Sequence, residues 1–217
     1  MRHPTSHLKK LKKAISQARK ITSSVPEHGS TTDLHHLKVQ SYILLSHAAI
    51  EEYLEELGRE VAREARKQFS TRGRITRSMV ALVMTKVLDE ISKKVDKSRD
   101  TISVDMISDM DDFSHDAVNL YEQQLRENHG IREPNQKRIL LPIGVSPEKT
   151  DTATMNMMDA YGLIRGELAH KFTLIRTEHT LNSVETTLTE IIKGIANFDK
   201  AACDALRVGM SKKDLTA

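Results

Sequence analysis

ILLSHAAIEEYLEEL, residues 43–57, carries a strong apolar stripe at helical spacing. It lies in a proline-free run from Asp33 to about Gln68, in which Tyr42, Leu45, Ala49, Tyr53 and Leu57 recur at three- and four-residue steps. That spacing lines one apolar stripe along a single long helix. Ser46, His47, Glu51 and Glu52 give this helix more polarity than packing alone needs. Helical spacing to Arg59 and Arg63 accounts for most of Glu51, Glu52, Glu55 and Glu56 as solvent-side partners. One of the four remains free to face a site.

Working outward, residues 7–22 place Leu8, Leu11, Ile15 and Ala18 on one side and Lys9, Lys10, Lys12, Lys13, Arg19 and Lys20 around the rest. This is a basic amphipathic helix, read as a docking helix with a solvated face, a membrane-surface helix or a strip for RNA phosphates. Its apolar face is narrow and has no aromatic anchor, which disfavours a membrane. Residues 23–32 have loop composition, and 69–78 read as a basic turn centred on Gly73. Met79, Val80, Val83, Val87, Ile91 and Val95 then form another helical stripe. Ser103 and Asp105 suit the start of the next helix, which carries Met110, Phe113, Ala117, Leu120, Tyr121 and Leu125. Asp109, Asp111 and Asp112 lack the turn glycine and closing glutamate of a calcium loop.

Between about Asn128 and Thr152 the periodicity stops, and three of the five prolines fall there. This stretch reads as a long loop whose apolar patch, Ile139 to Leu141, docks on the helices and whose rim is basic through Arg132, Lys137 and Arg138. A helix follows from about Thr154 to Phe172, packing through Met157, Met158, Tyr161, Ile164 and Leu168. A last helix runs from near Leu181 toward Leu206. The expectation is an all-α, up-and-down bundle of four main helices plus the basic N-terminal one, with no convincing strand. Its parts are a basic helix and loop (1–32), a helical domain (33–210) with the 127–153 loop insert, and a polar tail (211–217).

The 217 residues suffice for one domain with a real core, and with 4% aromatics and no Trp that core is expected from aliphatic side chains, Met and Ala. A single cysteine, Cys203, excludes an internal disulfide framework and fits a reducing compartment. No stretch approaches the roughly 18 apolar residues of a membrane span, so the expected location is the cytoplasm. The net charge of +3 permits a polyanionic partner without requiring one.

DAYGLIRGELAHKF, residues 159–172, holds Arg165 and His170 five positions apart on the penultimate long helix. At about 100° per residue the two lie roughly 140° apart, within reach of the long arginine on one broad face. A guanidinium that stabilises phosphoryl charge and an imidazole that moves a proton are the minimum for phosphodiester cleavage. The plain alternative is an ion pair of Arg165 with Glu167 and a helix-end role for His170. Arg2 and His7 repeat the spacing near the N-terminus, which marks it as weak by itself. His35 and His36 point to different faces, and the sequence around His115, His129 and His179 does not repeat the Arg165 and His170 pattern. With one cysteine and no H-E-x-x-H, a zinc site is disfavoured, and no elbow or base supports a Cys or Ser nucleophile.

The long helix with LLSHAAIEEYLEEL, an insert ending in a PIG loop, a helix ending R-G-E-L-A-H and one more long helix resemble the HEPN superfamily over roughly residues 35–205. The chain is most similar to its RiboL-PSP-HEPN-like branch of defence and toxin systems. The resemblance implies a metal-independent endoribonuclease without cofactor, acting as a homodimer on RNA, with room for a neutralising partner protein. It makes His170 the general base or acid and Arg165 the phosphate ligand, with Glu51 or Glu52 orienting the histidine. Ser46, His47, Arg138 and Lys171 are the candidates for substrate contact. The chain departs from the pattern at Gly166, where Asn or Asp is common, and at Lys171, where Gly is common. The competing reading is a non-catalytic helical module that binds RNA or a protein.

Overall fold

A computed structural model of the chain describes residues 1–29, 32–93, 109–169, 179–207 and 209–211. The described residues form an all-α bundle around one core, and the N-terminal helix is part of that core. Helix α1 (Ser6–Arg19) starts where Thr5 Oγ1 accepts from Leu8 N at 3.2 Å. It docks through Leu8, Leu11, Ile15 and Ala18 and leaves Lys9, Lys10, Lys12 and Lys13 exposed. The chain start is tied down by a buried carboxylate near the far end of the sequence. Asp199 accepts from Thr5 N at 3.0 Å, Thr5 Oγ1 at 2.5 Å and Tyr53 OH at 3.1 Å, and lies 2.7 Å from His3 Nδ1.

Helix α2 (Asp33–Arg72) is the spine, 40 residues long and so about 60 Å. Thr32 caps its start, and Gly73, left-handed at φ 61°, ends it. Its buried face centres on Ile43, Ile50, Leu54 and Leu57, whereas Leu45, which the sequence stripe placed inside, is 46% exposed. The protein has four tyrosines, and all four are buried, so the few aromatics concentrate in the core. Each of three buried hydroxyls finds a partner: Tyr53 on Asp199, Tyr121 on the Ile139 carbonyl, Tyr161 on Ser46.

Beyond Gly73 the chain runs extended, and Arg74–Thr76 (β1) pairs antiparallel with Gly209–Ser211 (β2). The sequence reading had a turn and no strand here. Gly209 permits the pairing, since a Cβ there would lie 2.2 Å from the Ile75 carbonyl oxygen. Thr76 caps α3 (Arg77–Lys93), which buries Met79, Leu82 and Val83 but leaves Val80 51% exposed. Ser103 and Asp105 lie outside the described residues. The next described helix, α4 (Met110–Arg126), is capped by Asp109, whose Oδ1 accepts from the amides of Asp111 and Asp112 at 3.1 and 3.0 Å. The acidic run is thus a helix start, where negative charge suits the dipole.

The expected long loop at 127–153 is largely helical. It forms α5 (Glu133–Leu140), a 3-10 turn (Leu141–Ile143) and the first turn of α6 (Pro147–Ala169). Its prolines sit within the first turns of these elements, where the missing N–H is no loss. Ile139 and Leu140 are buried as the docking patch required, but Leu141 is 48% exposed. Buried Gln136 stitches the segment together by donating to the carbonyls of Ile131 and Met155 at 2.8 and 3.0 Å. A kink at Asp151 divides α6; its carboxylate caps Thr154 N at 2.9 Å and accepts from Asn197 of α7 (Leu181–Arg207) at 2.8 Å.

Candidate functional site

Arg165 projects from α6 at a place fixed on two sides. Toward α2, the Tyr161 hydroxyl lies 2.6 Å from Ser46 Oγ, one turn before the arginine. Toward the 128–133 segment, Asp159 Oδ1 accepts from Glu133 N at 2.8 Å and Arg132 Nε at 3.2 Å. Both amide and guanidinium hold the Asp159 carboxyl below its ordinary range despite some burial. Arg165 itself is half-buried, and among the described residues no carboxylate closes an ion pair with it. The expected alternative partner Glu167 is exposed and forms none with Arg165 among those residues.

The charge of Arg165 acts on two side chains of α2, His47 and Glu51. His47 is 2% exposed, and burial, assisted by Arg165, lowers its pKa from 6.5 to about 4. It is therefore a neutral imidazole near pH 7, and its Nδ1 stands 3.7 Å from Glu51 Oε2, beyond hydrogen-bond range. Glu51 is pushed up, first by burial and then by neighbouring Glu55, against the opposing pull of Arg165 and His129. Buried Asn128 bridges the two carboxylates, its Nδ2 donating to Glu55 Oε1 at 2.8 Å, more distantly to Glu51 Oε1 at 3.4 Å, and to the Gly130 carbonyl at 3.1 Å. Asn135 Nδ2 in turn donates to Asn128 Oδ1 at 2.9 Å.

The structure thus gathers Arg165, His47 and Glu51 from the sequence-derived set and adds Glu55, Asn128 and His129. Glu52 lies elsewhere, in the groove between α1 and α2 with His7, Lys10 and Glu56. Ser46, expected to contact substrate, is instead fully buried; its hydroxyl donates to the Tyr42 carbonyl at 2.6 Å and meets Tyr161. Arg138 is exposed and pairs with Glu127 at 2.7 Å. His170 and Lys171 lie outside the described residues. His129, which the sequence left without a partner, is exposed and acts electrostatically on the Glu51 carboxyl. A histidine next to an asparagine carries no sequence signal for this, because Glu51 is 77 residues from Asn128.

A half-buried guanidinium whose charge reaches a neutral imidazole and a partly desolvated carboxylate can hold a phosphate oxygen while the carboxylate orients a neighbouring group. Among the described residues no group of three or more His, Cys, Asp and Glu side chains is placed to hold a metal ion. No described helix is long and apolar enough to cross a membrane. Residues 6–204 match the sequence profile of a family described as RiboL-PSP-HEPN. No curated protein and no solved structure matches the chain.

Proposed function

The chain belongs to the RiboL-PSP-HEPN family, and on that premise we propose that it is a metal-independent endoribonuclease of the defence or toxin type, working as a homodimer. The observation that carries the reading is that the charge of half-buried Arg165 on α6 reaches buried His47 and half-buried Glu51 on α2. Arg165 binds the scissile phosphate and stabilises its developing charge. His170 accepts the proton of the ribose 2′-OH, whose oxygen attacks phosphorus, so RNA is cut and DNA is spared. Glu51, whose carboxyl feels the charge of Arg165, is the orienting carboxylate in this reading.

The dimer is supported by the surface that adjoins the site. Leu37 and Leu44, 48% and 37% exposed, stand seven residues apart, and Glu51 follows seven further on, with exposed Ala48 between. These positions fall along one face of α2. An apolar stripe that runs into the site suits a second copy docking across a two-fold axis, which brings two Arg165 side chains to one cleft. Purified protein should cut RNA in EDTA, and Arg165→Ala should abolish cutting while the dimer persists. Cutting that survives the substitution, or that demands Mg²⁺, overturns the reading. Overexpression should arrest growth, with Arg165→Ala relieving the arrest.

One observation favours a second reading, a non-catalytic RNA-binding module. Lys9, Lys10, Lys12 and Lys13 are exposed, and among the described residues none is in an ion pair. That reading predicts RNA retained in a mobility shift without being cut, weakened by exchanging these lysines for Glu.

A further inference from the structure

Of the four buried tyrosines, Tyr42 is the one whose hydroxyl has no hydrogen-bond partner among the described residues. Its side chain is 3% exposed and lines a groove of about 310 Å³ where α1, α2 and α7 meet. A hydroxyl buried in this way costs stability unless water or a ligand in the groove satisfies it. Burial pushes the phenol above its ordinary range against the pull of the Arg19 charge, so it stands as a neutral group able to donate and accept. The other walls divide by chemistry. Ile15 of α1 and Leu188 of α7 are buried and Ile192 is half-buried, which gives an apolar side. Lys12 and Arg19 of α1 set two positive charges against the single carboxylate of Glu185. Arg19 is fixed in place, because its Nε pairs with Glu185 and its Nη1 donates to Thr22 Oγ1 at 2.7 Å. The Lys12 ammonium is exposed and in no ion pair among the described residues, which leaves it for an anion.

We propose that this groove is a binding site for a free mononucleotide, a phosphate monoester carried on a planar base. The phosphate lies against Lys12 and Arg19, a face of the base rests on Ile15, Leu188 and Ile192, and the Tyr42 hydroxyl bonds a polar edge of the nucleoside. The net positive charge of the site suits one phosphate and not a long polyanion. Its volume is at the small end of the roughly 300–1,000 Å³ of small-molecule sites. Arg165, His47 and Glu51 are not among the residues that line the groove, so occupancy here is independent of RNA cleavage.

Isothermal titration calorimetry of the full chain with adenosine 5′-monophosphate, adenosine and inorganic phosphate, in EDTA, is the test. The nucleotide should bind, and either half alone should bind at least about tenfold more weakly. Tyr42→Phe removes only the hydroxyl and should weaken the nucleotide by about fivefold or more without lowering the thermal midpoint of the free protein. Lys12→Glu, at an exposed position, should weaken it by about tenfold, and wild-type affinity should decline as salt rises. Arg165→Ala should bind as wild type. An absence of heat with millimolar nucleotide, phosphate binding as tightly as the nucleotide, or affinity that survives both groove substitutions overturns the site. Affinity that falls with Arg165→Ala instead also overturns it, and leaves the ribonuclease reading standing.

Discussion

Burial holds His47 neutral, and this makes acid stability a direct probe of the site. In the unfolded chain a histidine takes its proton near pH 6.5, whereas in the folded protein His47 waits until about pH 4. Between those values the unfolded state binds the extra proton, so the contribution of this residue to stability is intact above about pH 6.5 and is lost progressively as the pH falls toward 4. At about 1.36 kcal/mol per pH unit, the full span from 6.5 to about 4 corresponds to a loss on the order of 3 kcal/mol. His47→Gln keeps a polar side chain and removes the titration. Its stability relative to wild type should therefore improve by up to that amount on acidification, with the carboxylates common to both proteins cancelling. Urea unfolding followed by far-UV circular dichroism across this range reads the difference. Proton NMR of the ring adds a second arm: Arg165→Gln removes an opposing charge and should raise the His47 pKa while leaving it below 6.5, because burial is the larger cause. Parallel pH dependences of wild type and His47→Gln, or a His47 titration indifferent to Arg165, would refute the placement of these two side chains.

Three further outcomes follow from other parts of the molecule. Among the described residues nothing lies within 4 Å of a Cβ built at Gly166, so Gly166→Ala should raise stability by about 0.5–1 kcal/mol in thermal unfolding, whereas a loss would mean the position is sterically closed. Gly194 is the contrast, since a Cβ there would lie 1.5 Å from Thr154 Oγ1, and Gly194→Ala should destabilise through the α6 and α7 contact by about 1–3 kcal/mol. Leu37→Glu together with Leu44→Glu should convert the proposed dimer to monomer in analytical ultracentrifugation without changing the circular dichroism, and an unchanged dimer would move the interface away from this face of α2.

The sequence made the helices legible wherever an apolar period ran longer than three turns. Helices α1, α2 and α7 begin and end within a few residues of expectation, since Thr32 and Gly73 are strong end signals for α2. The 127–153 region was misjudged because proline is read as a break although it also opens helices, and because an eight-residue helix shows barely two turns of pattern. Within the candidate site, type and spacing singled out Arg165 in the sequence. The choice between Glu51 and Glu52 was not legible, because adjacent residues on a helix differ by about 100° and only the packing of α1 and α6 assigns each a neighbour. Asn128 and His129 were invisible for a related reason. Their meaning lies in contacts with α2 and α6, which tertiary folding alone creates.

If Arg165 supports attack of the 2′-hydroxyl on phosphorus without a metal, the chemistry of the cut ends records it. Mapping the ends produced from a defined RNA in EDTA tests this most directly. The wild-type protein should leave 2′,3′-cyclic phosphate and 5′-hydroxyl ends, and Arg165→Ala should leave the RNA intact. Ends carrying 3′-hydroxyl and 5′-phosphate, or cleavage undiminished by that substitution, would contradict that chemistry.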